Sequence, residues 1–298
     1  MLKIDTHNGW FKGLGDLVCF GWIGASLQAT ERDVEFYAHG WRADVLRFFQ
    51  QRVTADGSGA IAPAIGFPTA VQQGSKLNYL EWIAQQCLGH LPFAIFSRPR
   101  LDLPPMDREL GRAASARVLL FPECAWPVRA WPRSYWLELA RLLKDAEIDL
   151  AVVTEKRLEE FGGFRCIYEQ PLAFIAGAMQ RAQLVIGNDS GPAHLAGTIG
   201  TRTLVLHGPT TERIYAHLPE VISHRRRALP CAGCEYLAPF RESCTHGCHE
   251  LYRTFPEEVF AQAMKMLVGA GVACPGMPTA SPTGPSVPPV AKKGGRRK

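Results

Sequence analysis

No apolar run in this sequence approaches the roughly 18–20 residues that a membrane span requires. The start, Met1-Leu2-Lys3-Ile4-Asp5, lacks the apolar core of a secretory leader. Both absences lead to the expectation of a cytoplasmic protein. A charge surplus is also missing from the body of the chain. The formal net charge is +5, but Lys292, Lys293, Arg296, Arg297 and Lys298 lie at the very end, and no acidic residue occurs from Gly271 onward. Without those five residues, 28 basic side chains stand against 28 acidic ones. A balanced body lacks the basic footprint of a nucleic-acid protein. The Pro-rich basic tail, 271–298, reads as disordered and solvated. Weak peripheral contact with anionic lipid at the inner face of the membrane is its alternative role.

The chain has 298 residues, of which 47% are hydrophobic and 20% charged. That suits a globular protein of two modest α/β domains. Apolar strand-type runs alternate with helical spacing: Val34 to Ala38 then Trp41 to Gln51, Ala116 to Phe121 then Ser134 to Ala146, and Leu150 to Thr154. Such alternation predicts parallel sheets, whose ligands sit at the strands' carboxyl ends. Leu101-Asp102-Leu103-Pro104-Pro105 reads as a linker, and the domain boundary is placed near residue 112. The expected division is a short first domain, 1–112, and a second, 113–270.

The most informative stretch is Leu184-Val185-Ile186-Gly187-Asn188-Asp189-Ser190-Gly191-Pro192-Ala193-His194-Leu195-Ala196. It predicts a strand, a Gly-flanked turn, and a helix with Pro192 in its first turn. Asp189 and Ser190 are both good helix caps. Free amides and the positive end of the helix dipole would then converge on one spot, as in an anion site. The local pattern fits a capped turn without a ligand equally well. Lys12-Gly13-Leu14-Gly15-Asp16 opens a similar unit near the start, with Asp16 placed as a helix cap.

Gly-Asn-Asp-Ser-Gly-Pro-x-His-Leu-Ala, followed by Gly200 and by Leu204 to Thr210, resembles the signature of glycosyltransferase family 9. That family includes the ADP-heptose:lipopolysaccharide heptosyltransferases. The resemblance implies the GT-B fold, two Rossmann-like domains whose parallel sheets face a cleft. It implies an inverting transfer of a sugar, heptose among the candidates, from a nucleoside-diphosphate sugar to a glycan, glycolipid or protein acceptor. Asp16 matches the family's proposed catalytic base. Arg129, before Trp131-Pro132, matches its phosphate-binding cation. Asn188, Asp189, Ser190, Gly191, His194 and Thr210 would line the diphosphate side, and Glu155 the nucleotide side. No catalytic divalent metal is then expected. Arg202 and Gly197 depart from the pattern, where the family often has proline and alanine. A sugar-nucleotide epimerase and a non-catalytic nucleotide-binding module are the competing readings.

Of the nine cysteines, Cys231-x2-Cys234-x9-Cys244-x3-Cys248 forms a compact array. In a cytosolic chain this spacing suggests a metal rather than disulfides. Four thiolates suit a structural Zn or a single Fe in a closed tetrahedral site. Similar segments occur in family relatives that glycosylate autotransporter proteins and carry an iron finger.

Overall fold

The computed structural model describes residues 1–7, 13–62, 77–89, 96–210, 212–225 and 248–268. Cys231, Cys234, Cys244 and the tail lie outside them.

The first half carries β1 (Leu2–Asp5), α1 (Leu14–Ala29), β2 (Val34–Tyr37), α2 (Trp41–Phe48), β3 (Val53–Thr54) and α3 (Tyr79–Leu88). Its three strands are parallel in the order β1-β2-β3, and Ile61 bridges to Ile4 on the other side of β1. α1 is apolar nearly all round and buries Leu17, Val18, Phe20, Ile23 and Leu27. Such a helix belongs between layers rather than on a surface.

The second half follows with α4 (Pro105–Ala114), β4 (Val118–Phe121), α5 (Arg133–Asp145), β5 (Leu150–Thr154), β6 (Arg165–Tyr168) and α6 (Leu172–Arg181). It continues through β7 (Leu184–Asn188), α7 (Gly191–Ile199), β8 (Thr203–Leu206), β9 (Val221–His224), α8 (His249–Arg253) and α9 (Pro256–Val268). The six strands are all parallel, in the order β6-β5-β4-β7-β8-β9. This is the doubly wound order of a dinucleotide-binding sheet. β4, β7 and β8 are buried at every residue, as expected of strands covered on both faces. α5 turns Trp136, Leu139, Ala140 and Leu143 inward at helical spacing. α7 stops at Gly200, whose φ of +94° suits a left-handed helix end.

α4 packs closely on α6: a Cβ at Gly177 would meet the Arg108 carbonyl oxygen at 2.5 Å. The division expected near residue 112 falls inside α4, a helix that lies with the second sheet. One apolar cluster runs through α1, the first sheet and one face of the second, including Ala193, Leu195 and Ala196 of α7. The other face of the second sheet has its own cluster, built on Trp131, Trp136, Leu139 and α9. The halves are also joined by polar contacts. Trp22 Nε1 donates to Thr198 Oγ1 at 2.9 Å, and Arg98 pairs with Glu220 at 2.6 Å.

Candidate functional site

A doubly wound sheet opens a crevice beyond the carboxyl ends of the two strands where the strand order reverses. Here those strands are β4 and β7. The exit of β4 runs through Pro122 to a 3-10 turn, Pro127–Arg129. The exit of β7 turns at Asp189-Ser190 into α7. Asn188 ties the two exits together. It is fully buried, its Oδ1 accepts from the Trp131 N–H at 2.8 Å, and its Nδ2 donates to the Pro122 carbonyl at 3.0 Å. The amide expected to touch the donor therefore holds the loops that frame the crevice.

Asp189 is the hub of a buried polar network. Only 2% of it is exposed. Arg129 Nη1 lies 3.4 Å from its Oδ2, and the Tyr215 hydroxyl donates to its Oδ1 at 2.7 Å. Thr210 also hydrogen-bonds it. Burial pushes this carboxyl up, but Arg129, His207, Tyr215 and Thr210 together overrule burial and hold it down at about 2. Behind it, His207 places Nδ1 3.1 Å from Thr210 Oγ1 and Nε2 3.1 Å from Ser223 Oγ. Thr210 is thus an interior support of Asp189. The Arg129 guanidinium lies 4.4 Å above the Trp126 ring, which fixes the plane of the fork.

Asp16 is the third residue of α1. Its Oδ2 accepts from the Gly13 N–H at 2.9 Å, as in a capping box. Its Oδ1 accepts a short hydrogen bond from the Tyr79 hydroxyl. Burial, then the adjacent Asp16 charge, pushes the Tyr79 phenol well above its ordinary range, while Arg129 acts on it in the opposite sense. Asp16 on the first half and Arg129 on the second therefore flank one tyrosine.

The starts of α1 and α7 meet without clearance. A Cβ on Gly191 would come 2.6 Å from Leu14 Cβ and 3.0 Å from the Gly15 nitrogen. A Cβ on Gly15 would come 2.8 Å from the His194 ring. No side chain among the described residues caps α7. Ser190 Oγ instead donates to the Asn188 carbonyl at 3.2 Å. His194 is buried, stacked 4.3 Å from Tyr215, so its ring fills the seam between the helices. Glu155 is exposed just beyond β5, and its N–H donates to the Glu123 carboxylate on the β4 exit.

Among the four clustered cysteines only Cys248 is described. It is buried, and a Cβ on Gly208 would come 2.8 Å from its Sγ. The thiol therefore lies against the loop that leads from β8 to Thr210. Tyr79 and Tyr215 went unpredicted. An aromatic residue at helical spacing reads as core, and only the tertiary fold aims these two hydroxyls at carboxylates.

The profile of glycosyltransferase family 9 (heptosyltransferase) matches residues 95–238. Lipopolysaccharide heptosyltransferase 1 of Pseudomonas aeruginosa is 26% identical over 130 residues, 41% of this chain and 35% of that protein. The matched stretch thus spans about a third of that relative. Among solved structures, Escherichia coli ADP-heptose lipopolysaccharide heptosyltransferase II superposes with a TM-score of 0.64 at 13% identity, covering 91% of this chain and 100% of that one. The iron-containing dodecameric glycosyltransferase TibC of enterotoxigenic E. coli gives 0.64 at 15% identity, covering 90% and 76%. These likenesses show the GT-B fold, two parallel-sheet domains flanking a cleft.

Proposed function

We propose, on the match of residues 95–238 to the glycosyltransferase family 9 profile, that the protein is an inverting glycosyltransferase using a nucleoside-diphosphate sugar. The observation that carries this reading is the abutment of two helix starts, one bearing Asp16 and the other uncapped beside Arg129. The donor's diphosphate would lie at the head of α7, where amides and dipole favour an anion. Ser190 and Gly191 would offer it backbone N–H groups, and Glu155 would meet the nucleotide.

The acceptor hydroxyl oxygen attacks the anomeric carbon on the face opposite the diphosphate. The new C–O bond forms as the sugar–phosphate bond breaks, and Asp16 takes the hydroxyl proton. Negative charge grows on the departing diphosphate, where Arg129 and the α7 amides meet it, so this chemistry calls for no divalent metal. Tyr79, kept protonated by its surroundings, orients the Asp16 carboxylate rather than competing for the proton. Heptose as the sugar, and a surface glycan, glycolipid or protein as acceptor, extend the proposal by analogy with the relatives. So does a structural Zn or Fe held by Cys231, Cys234, Cys244 and Cys248, which would sit against the Gly208 loop.

The test begins with a binding screen of ADP-, GDP- and UDP-sugars. Asp16→Asn is then compared with wild type for donor affinity and for sugar transfer to envelope acceptors. Donor affinity should be retained while transfer falls about 10²–10⁴-fold. An unchanged transfer rate removes Asp16 as the base. Failure of every sugar nucleotide to bind removes the transferase reading itself.

A further inference from the structure

We propose that Cys19, His194 and His217 form a transition-metal site, suited to Zn²⁺, on the seam between the two halves. The site shares no residue with the four-cysteine array and does not depend on the transferase reading. Cys19 lies in the second turn of α1, and His194 in the first turn of α7. His217 follows the 3-10 turn Glu212–Tyr215. One ligand atom from each lies within 4.8 Å of the other two. Zn–S bonds of about 2.3 Å and Zn–N bonds of about 2.0–2.1 Å put neighbouring ligand atoms of a tetrahedral ion roughly 3.3–3.7 Å apart. Small side-chain rotations close that difference.

The ring nitrogens supply an independent observation. His194 Nδ1 and both nitrogens of His217 are buried with no hydrogen-bond partner. Buried polar atoms are nearly always paired. Two imidazoles with unpaired buried nitrogens beside one buried thiol are instead what an ion's ligand set looks like without its ion. The rings are also held in place. Tyr215 stacks on His194 at 4.3 Å, and the edge of Trp22 meets His217 at 5.4 Å. These ring contacts fix the orientation of both imidazoles before an ion binds.

The donor set narrows the ion. One thiol and two imidazoles suit Zn²⁺ or a copper ion, not Mg²⁺ or Ca²⁺, which take oxygen ligands. On binding, the Cys19 thiol loses its proton to solvent and the thiolate becomes a ligand. A fourth position stays open for a water or small anion. Because Cys19 comes from the first half and both histidines from the second, the ion would clamp α1 to α7 beside the proposed diphosphate site.

The test uses the full chain, stripped with a chelator, reloaded with Zn²⁺ alone and freed of loosely held metal by gel filtration. Bound zinc per chain is counted by mass spectrometry for wild type, Cys19→Ala and His217→Gln. Each variant should hold one zinc ion fewer than wild type, and zinc should raise the melting temperature of wild type more than that of either variant. The melting temperature of the metal-free proteins shows whether each variant folds, and His217→Gln decides the matter if Cys19→Ala does not. Equal zinc counts in wild type and a folded variant overturn the proposal.

Discussion

Asn188 shows how much one buried side chain can carry. Its amide meets a donor on one loop and an acceptor on another, both inside the protein. Asn188→Ala leaves the Trp131 N–H and the Pro122 carbonyl unpaired in a water-poor interior. The expected cost is about 2–4 kcal/mol, because each orphaned buried group costs about 1–3 kcal/mol. Denaturant unfolding measures it, and a loss under about 0.5 kcal/mol would mean that the loops re-pair or hydrate. Asp189 makes the same point with charge. Its carboxylate stays ionised in the interior because Arg129, Tyr215 and Thr210 converge on it. Arg129→Met removes the cation and leaves a buried anion without its main counter-charge, which costs roughly 3–5 kcal/mol when a buried pair is broken this way. Arg129→Lys keeps the charge but not the fork, and should recover part of the stability and little of any donor affinity.

At the scale of elements, the contact between α1 and α7 rests on glycines. Gly191→Ala drives a Cβ into Leu14 and the Gly15 backbone, so the helices must separate. Overpacking of this kind costs about 1–3 kcal/mol. Gly163→Ala is the control, since nothing lies within 4 Å of a Cβ there. Equal melting temperatures for the two variants would mean that the seam yields freely. The β7–α7 unit was legible in advance because its signals are local: an apolar run, a Gly-flanked turn, a proline in the first helical turn. α5 was legible from its apolar spacing. α4 was not foreseen, because Leu101 to Pro105 reads as linker and the helix after it buries only Gly111. β6 and β9 were missed too. Each has four residues, with an exposed or polar end, Arg165 in one and His224 in the other, and edge strands carry little periodic signal. The site divides the same way. The chain's local pattern pointed to the 188–191 turn and to Asp16 as a helix cap, and only the family resemblance singled out Arg129 and a catalytic role for Asp16. Tyr79 and Tyr215 reach their carboxylates only across 63 and 26 residues of chain, a relation that no local pattern records.

At the scale of the whole molecule, three histidines whose rings are largely removed from water set the response to acid. Burial, only partly opposed at the first two by the Asp189 charge, lowers His194 and His207 to about 4 and His217 to about 3. In the unfolded chain each returns to about 6.5. Between these values the unfolded state binds more protons than the folded one, so stability rises with pH through this window and falls as pH drops from about 6.5 toward 4. Each histidine contributes at most about 1.4 kcal/mol per pH unit. Asp189 adds a loss in the same direction below pH 4, as its unfolded counterpart protonates first. Melting temperature of the metal-free protein should therefore fall steeply between pH 6.5 and 4. His207→Gln should flatten that fall, and an equally steep profile in the variant would show that His207 is not among its causes.

The end of the described chain is fastened well away from its covalent neighbours. The Trp131 indole donates to the Thr254 carbonyl at 2.8 Å, and Arg202 Nη1 donates to the Met266 carbonyl at 2.6 Å. α9 presses Val259, Ala263, Met264 and Leu267 into the cluster on Trp136 and Leu139. A protease cut anywhere in 226–247 would therefore leave two fragments that do not part. They should co-elute as a single complex from a sizing column and come apart only in denaturant, and the two pieces made separately should reassemble when mixed.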